Sequence, residues 1–538
     1  MPSDCISFKD TGFFSDLICN YLEQKKSIAS LYHRFPTLEN FKLQIEEKQV
    51  NFSNENRIQL VKSLQQQYTT INVSEKTKHN IEQLKSSNTF TITTGHQLNL
   101  FTGPLYFLYK IISTINLTEE LKTTYPSYNF VPVYWMATED HDFVEINNFT
   151  LKGEKIVWNK EDALDNKKGA VGEFNTEGLA DIFSLLEKDL GVGKNASFLK
   201  DLFKKGYLEH ENLTEATRYI VNELFAAYGL VIVDGNDAGL KSLFIPVLEE
   251  ELKNKTSFTK VSETVIALEK LDYKAQVTPR EINLFYLAKD SRERIILNEN
   301  GSYSVNDTNT TWDSYKSIQK ELKNHPERFS PNVILRPVFQ EVILPNLCYI
   351  GGGGELAYWF ELKSTFQAFN IPFPILLLRN SALLISKKEQ EKLNKLSINN
   401  KELFLKQHKL INKKVREISD IEIDFSEQKK ALRKQFKDLE ELALKTDKSF
   451  LNAVKAQETK QIKGLNVLEK RLLKAQRIKL NDKVDRLTKI HNQLFPQQSL
   501  QERKLNFSEF YLEYGQDLIP KLKEELKPLS LDFSVISL

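Results

Sequence analysis

Four consecutive titratable side chains, Glu139, Asp140, His141 and Asp142, directly follow the apolar run YNFVPVYWMA. Ionised groups at the end of a buried strand are stable only when solvated, paired or ligand-bound, so the cluster points to chemistry. The plainer alternative is a solvated helix start capped by Asp140 or Asp142. A metal centre from His141, Asp140 and Glu145 lacks both H-E-x-x-H and paired Cys/His spacing, so no metal is expected. A second cluster is TTGHQLNLFTGP (93–104): Gly95, His96 and Gln97 precede a TGP that opens a helix at Pro104, an arrangement able to aim N–H groups at an anion. It has neither Walker nor G-x-G-x-x-G spacing, and a tight turn with a buried histidine competes with it. The third is CYIGGGGELAYWFELK (348–363), where Gly351, Gly352, Gly353 and Gly354 permit close backbone approach and dihedrals open to no other residue. Glu355 and Tyr358 would project from the first turn that follows. Cys348 reads as a buried strand residue, since no neighbour would lower its pKa. Arg280, Arg336 and Arg379 could fork onto carboxylate or phosphate, or equally form structural ion pairs.

These clusters need strands to hold them. The β-branched run TFTIT and the continuous apolar runs YNFVPVYWMA, LVIVDGND and PILLLRN alternate with helical patterns, the signature of an α/β fold with a parallel sheet covered on both faces. Ligands bind beyond the carboxyl ends of such strands, which sets the first two clusters, Asp234 and Asn380 on one rim. Residues 1–85 read as an N-terminal helical segment packed on the core, with Asn54 and Ser74 as caps. The core spans 86–385, with insertions near 143–210 and 250–330. The first insertion contains short antiparallel runs such as FTLKGEKIVWN, and 271–312 reads as a β-meander turning at NENG. From Ile375 to Phe495 there is no proline and one glycine, and Leu473, Leu480, Leu487 and Leu494 recur at sevens. One helix of that length would reach roughly 150 Å, so 386–495 is expected to fold into a long antiparallel α-helical coiled-coil hairpin. Residues 496–538 then return to the core. His408 and His491 fall at packing or solvent positions of the hairpin.

At 538 residues the chain exceeds one ordinary core, and 41% hydrophobic content gives ample material to bury. Lysine plus arginine (74) nearly cancels aspartate plus glutamate (72), leaving a net charge of +2 and no bulk attraction for nucleic acid. The three cysteines are far apart, which excludes a disulfide framework and suits a reducing compartment. No signal peptide and no membrane span is apparent, so a cytoplasmic location is expected.

Taken together, TTGHQLNLFTGPLYFLYK, PVYWMATEDHDFVEI, QVTPREINLFY, PERFSPNVILRPVFQEVILP, GGGGELAYWFELK and FPQQSLQER resemble the bacillithiol biosynthesis cysteine-adding family, in order and over essentially the whole chain. Two departures stand out: the family's Gly-Gln-Gln is Gly95-His96-Gln97 here, and Gly353 replaces the proline of its Gly-Gly-Pro-Gly loop. The resemblance implies a Rossmann-like core with two connecting insertions and a coiled coil used for homodimerisation. It implies a ligase joining the carboxyl group of cysteine to the amino group of glucosaminyl malate, the last step to bacillithiol. By analogy with nucleotidyltransferases and class I synthetases, it implies ATP as the carboxyl activator. On this resemblance Gly95, His96 and Gln97 with the Pro104 helix would line the nucleotide or cysteine pocket. Glu139, Asp140, His141 and Asp142 would hold an ammonium group or act as acid and base, His141 being tuned for proton transfer near neutral pH. The glycine run with Glu355 and Tyr358 would cradle the second substrate, with Asn380 on the same rim. Two other readings compete. A dimeric coiled-coil scaffold whose α/β unit merely binds a metabolite predicts no effect of replacing Asp140 or His141. A metal-dependent hydrolase centred on EDHD predicts a stoichiometric metal.

Overall fold

The computed structural model describes residues 4–159 and 169–538. The chain divides into two compact units: Cys5–Ala382 with Glu502–Ser534, and Leu383–Gln501 with Asp4 and Val535–Leu538.

The first unit is built on five parallel strands, β1 (Thr89–His96), β2 (Asn129–Met136), β3 (Val231–Asp234), β4 (Asn346–Gly351) and β5 (Ile375–Leu378). Their order across the sheet is β5-β4-β1-β2-β3, every neighbouring pair parallel. Every residue of β1 is buried, because helices cover both faces and leave no solvent side for an alternating pattern. Chain progression reverses between β1 and β4, which makes the crevice beyond their carboxyl ends the topological switch point.

Helix α1 (Tyr106–Thr124) connects β1 to β2. It starts later than Pro104 because the preceding residues turn the other way: Phe101 (φ 48), Thr102 (φ 68) and Gly103 (φ 64) are all left-handed. That conformation is costly for a β-branched or aromatic residue and persists only where its surroundings impose it. Phe101 N–H donates to the Tyr207 hydroxyl at 2.7 Å, and Asn506 Nδ2 donates to the carbonyls of Phe101 (2.8 Å) and Gly103 (2.6 Å). Leu105 N–H, which an earlier helix start would leave free, donates to Leu505 O at 2.7 Å.

The N-terminal helices Leu38–Asn51, Asn54–Gln67 and Glu75–Gln83 are each capped by a hydroxyl, from Thr37, Ser53 and Ser74. The cap of the middle helix is thus Ser53, which accepts Asn56 N–H at 3.1 Å, and not Asn54. The first insertion contains the antiparallel pair Asn148–Leu151 and Glu154–Val157, followed by helices that include Leu179–Leu190, Lys194–Phe203 and Leu213–Phe225. Residues 160–168 of that insertion lie outside the described residues. The second insertion is an antiparallel sheet of Leu284–Ala288, Ser291–Leu297, Tyr303–Val305, Thr311–Trp312 and Phe329–Pro331. Its NENG turn closes on Gly301 at φ 82.

In the second unit, helices α2 (Ser426–Ala443) and α3 (Lys448–Lys479) are joined by residues 444–447, with Asp447 capping α3. Their short connection and mutual packing make them an antiparallel hairpin. Phe436, Ala443 and Val454 form its buried seam, flanked by Leu432 and Leu451. Glu469 of α3 binds Arg416 at 2.9 Å and Lys429 at 2.5 Å. The heptad of leucines is not one continuous helix: Leu480 ends α3 at non-helical ψ, and a new helix runs Asn481–Leu494. His491 is buried and stacks on Phe495 at 5.0 Å, whereas His408 is exposed.

Candidate active site

A cavity of about 780 Å³ opens at the switch point, walled by the carboxyl ends of β1, β2 and β4 and by the second insertion. At its base Gly95, next to last in β1, presents no side chain. A Cβ there would come within 3.2 Å of the Tyr349 hydroxyl, so glycine admits that ring to the site. The Tyr349 hydroxyl donates to Glu355 Oε1 at 2.7 Å, and Gly352 N–H donates to Glu355 Oε2 at 2.8 Å. Lys110, on α1 and 3% exposed, completes the cluster by donating to Gly95 O at 2.7 Å and pairing with Glu355 Oε2 at 2.5 Å. Burial alone would push the Glu355 carboxyl up, but Lys110 and these two donors hold it below the usual carboxylate range.

His96 lies against Tyr106 and Phe107 with its Nε2 buried and unpartnered among the described residues. Burial, together with the charges of Lys110 and Arg379, holds its imidazole well below the ordinary value, so it is neutral. Arg336 sits over the rings of Trp135 (5.8 Å) and Tyr349 (5.7 Å). Its Nη1 donates to Gln340 Oε1 at 3.1 Å, while Nη2 is buried with no partner among the described residues. Both residues line the cavity, where the Arg336 guanidinium also engages the Tyr358 side chain and His96 Nε2 donates or accepts according to its tautomer.

The TEDHD segment does not act as one block. Asp140 and His141 line the cavity, as does Glu145 one helical turn on. Gln97 Nε2 donates to Asp140 Oδ2 (2.6 Å) and Glu145 Oε2 (3.0 Å), and His141 N–H donates to Asp140 Oδ1 at 2.8 Å. Arg292 Nη1 meets His141 Nδ1 at 2.8 Å. Glu139 also reaches the wall, but its carboxylate is tied to the buried Lys241 at 2.6 Å. Asp142 turns away and caps the helix Phe143–Ile146 by accepting Glu145 N–H at 3.2 Å.

Three further expectations need correcting. None of Gly351, Gly352, Gly353 and Gly354 has a positive φ, and none lines the cavity. The run matters for space instead: a Cβ on Gly351 would lie 2.8 Å from Leu356 Cδ1 and 2.9 Å from the Tyr349 ring. Asn380 is buried and bonded to Ser113 (2.9 Å) and to Lys527 O (2.8 Å), away from the cavity lining. Asp234 is held by the Thr138 hydroxyl at 2.5 Å. Arg379 pairs with Glu502 at 2.8 Å as a buried structural bridge. Tyr358 and Glu355 do line the cavity, and Cys348 is buried in β4 with its thiol pushed up by burial.

Among the described residues no three His, Cys, Asp or Glu side chains converge as a metal site requires, and no helix is long and apolar enough to cross a membrane. Three charged cavity residues escaped the sequence reading: Lys110, Arg292 and Arg294. Lys110 is a lone charge inside the apolar run LYFLYKIISTI, and Arg292 and Arg294 are two apart on one strand, hence on one face.

Two family models cover the chain: the N-terminal Rossmann-like domain of the bacillithiol biosynthesis BshC family matches residues 1–380, and its C-terminal coiled-coil domain matches residues 382–538. The chain belongs to this family. Curated relatives agree along the full length. A protein of Christiangramia forsetii named "Putative cysteine ligase BshC" is 58% identical over 537 residues, covering 100% of this chain and 99% of its own. Proteins of the same name from Cytophaga hutchinsonii and Bacillus cereus are 37% and 27% identical, covering 98% and 96% of both chains. The family's Rossmann-like and coiled-coil descriptions fit the two units described above.

Proposed function

We propose that this chain is a ligase that joins the carboxyl group of cysteine to the amino group of glucosaminyl malate, completing bacillithiol in the cytoplasm as a homodimer through its coiled coil. The observation that carries this reading is the mixed wall of the switch-point cavity. Asp140 and Glu145 are carboxylates whose side-chain donor is a neutral amide, Gln97, so both retain capacity for an ammonium group. Arg336 Nη2 and His96 Nε2 are buried with no partner among the described residues, and the first, with the second in its Nε2–H tautomer, would suit carboxylate or phosphate oxygens. A reaction between an amine and a carboxyl group, on substrates rich in carboxylates, uses both kinds of surface.

Amide formation from a free carboxylate also needs a better leaving group than hydroxide, and a nucleoside triphosphate would supply it. The unused nitrogens of Arg336 and His96 fit that requirement and are the residues that would hold its phosphates. During the step itself the amine nitrogen bonds to the carboxyl carbon, the activated oxygen departs, and the surplus proton of the amine passes to a base on the wall. Asp140 would take that role, a reading supported by its anchoring to Gln97 and His141 N–H on the cavity wall.

The test is incubation of purified protein with cysteine, glucosaminyl malate and ATP, read by mass spectrometry. Bacillithiol formed in step with ATP cleavage, and lost on Asp140→Asn, supports the ligase. Product without ATP cleavage would replace the activator, and no product together with an unchanged thiol pool in a deletion strain would overturn the reading.

A further inference from the structure

We infer that Arg292 is a positioning residue that fixes His141 as a neutral imidazole with its proton on Nε2, so that His141 serves the cavity as a hydrogen-bond donor and not as a base. This rests on the ligase reading for its chemical meaning, though not for its geometry.

A guanidinium has five N–H donors and no acceptor, and it does not deprotonate in proteins. Arg292 Nη1 lies 2.8 Å from His141 Nδ1, so Nδ1 must present its lone pair. A neutral imidazole that accepts at Nδ1 carries its hydrogen on Nε2. An imidazolium would set N–H against N–H at this contact, so the pair excludes it. Nor can Arg292 move aside. It is 7% exposed, donates from Nε to the Ser330 hydroxyl (3.2 Å) and from Nη2 to Pro331 O (3.2 Å), and lies 4.0 Å above the Phe285 ring. Phe285 comes from the adjacent strand of the second insertion and Ser330 and Pro331 from the strand beyond it, and Phe285 also packs on the His141 ring at 5.7 Å.

Other charges face His141 and pull the opposite way: Asp140 Oδ1 lies 3.7 Å from Nδ1, and Asp142 and Glu293 are near. The Asp140 carboxylate is already engaged by Gln97 and by the backbone of His141. Partial burial and Arg292 prevail, and the imidazole stays below its ordinary value. His141 Nε2 has no partner among the described residues, and the ring lines the cavity with its side chain 39% exposed. A fixed N–H there suits the carboxyl oxygen of cysteine as it gains negative charge during attack by the amine. Proton removal then falls to a carboxylate, Asp140 or Glu145, which separates two roles that the sequence placed on one histidine.

The experiment is NMR of protein labelled with 15N-histidine, with the His141 signals assigned by their loss in His141→Gln. The expected spectrum at neutral pH has a protonated Nε2 and an unprotonated Nδ1, and this form persists below pH 6.5, the ordinary imidazole value. In Arg292→Met the titration midpoint rises and tautomers mix, while Arg292→Lys, which keeps a donor, restores the wild-type form. In ligation assays His141→Gln, whose amide can place an N–H near Nε2, stays within about tenfold of wild type, whereas His141→Asn and His141→Ala lose about 100- to 1,000-fold, the range for one donor to a developing oxyanion. A wild-type His141 that is an imidazolium, or bears its proton on Nδ1 at neutral pH, overturns the inference even if Arg292→Met fails to fold. A dead His141→Gln in folded protein overturns the donor role. Absence of ligation by wild type would refute the ligase alone, because the spectrum reports the tautomer without turnover.

Discussion

Glu361 offers a direct measurement of what burial does in this fold. Its side chain is fully buried and accepts Gln276 N–H at 2.7 Å and Val277 N–H at 3.4 Å, clamping the segment that leads to Thr278 and Arg280 on the cavity wall. Burial pushes its carboxyl from 4.5 up to about 7, outweighing both N–H donors. A rise of this size corresponds to about 3 kcal/mol, at 1.36 kcal/mol per pH unit. The folded protein holds this proton more tightly than the unfolded chain, so the contribution is fully present below about pH 4.5 and is lost as pH rises to about 7. Glu361→Gln cannot titrate. Its amide N–H against Val277 N–H costs about 1 kcal/mol at every pH, but the stability difference, variant minus wild type, should climb by about 3 kcal/mol across that window. Urea unfolding followed by tryptophan fluorescence reads it cleanly, because Trp135, Trp158, Trp312 and Trp359 all lie in the α/β unit. A difference independent of pH would refute the reasoning.

Asp142→Ala should cost at most about 1 kcal/mol, the usual worth of a cap, and leave product formation intact, whereas Asp140→Asn should cut it by about a hundredfold in a mass-spectrometric assay. Glu502→Gln strands the Arg379 guanidinium, 3% exposed, and should destabilise the α/β unit by about 3–5 kcal/mol in the same tryptophan-monitored unfolding. Cys348→Ala should leave turnover per folded molecule unchanged, since its buried thiol is held protonated; abolition of turnover in folded protein would assign it a role that its burial in β4 argues against.

Strands and coiled coil were legible because buried parallel strands and heptads write themselves as continuous or periodic apolar patterns. The rim was legible in part for the same reason: Gly95, His96, Gln97, Asp140, His141 and Glu355 follow strand ends, where polar clusters stand out against apolar runs. What adjacency could not reveal was orientation. Asp140 and Asp142 share one face in an extended reading, yet the turn after β2 sends the first to Gln97 and the second to a helix cap. Arg292 was hidden because its meaning lies in a contact with a residue 151 positions away. The four glycines suggested unusual dihedrals, but their backbone is ordinary and only the crowding at Gly351 demands a missing side chain.

The left-handed turn at Phe101 and Thr102 has a consequence for the life of the protein before it is finished. The residue that clamps it, Asn506, and the partner of Arg379, Glu502, belong to a stretch that leaves the ribosome only after the entire coiled-coil hairpin. The α/β unit is interrupted at Ala382 and resumes at Glu502, whose carboxylate receives Ala382 N–H at 3.1 Å. A nascent chain therefore carries a sheet whose loop after β1 is held at Phe101 N–H by Tyr207 but lacks the Asn506 clamp on its carbonyls, and those residues can relax to less strained dihedrals until Asn506 arrives. Maturation of the site is thus timed by the last residues synthesised, so a chain truncated after the hairpin would keep its strands and lose the shape of the loop beside its cavity.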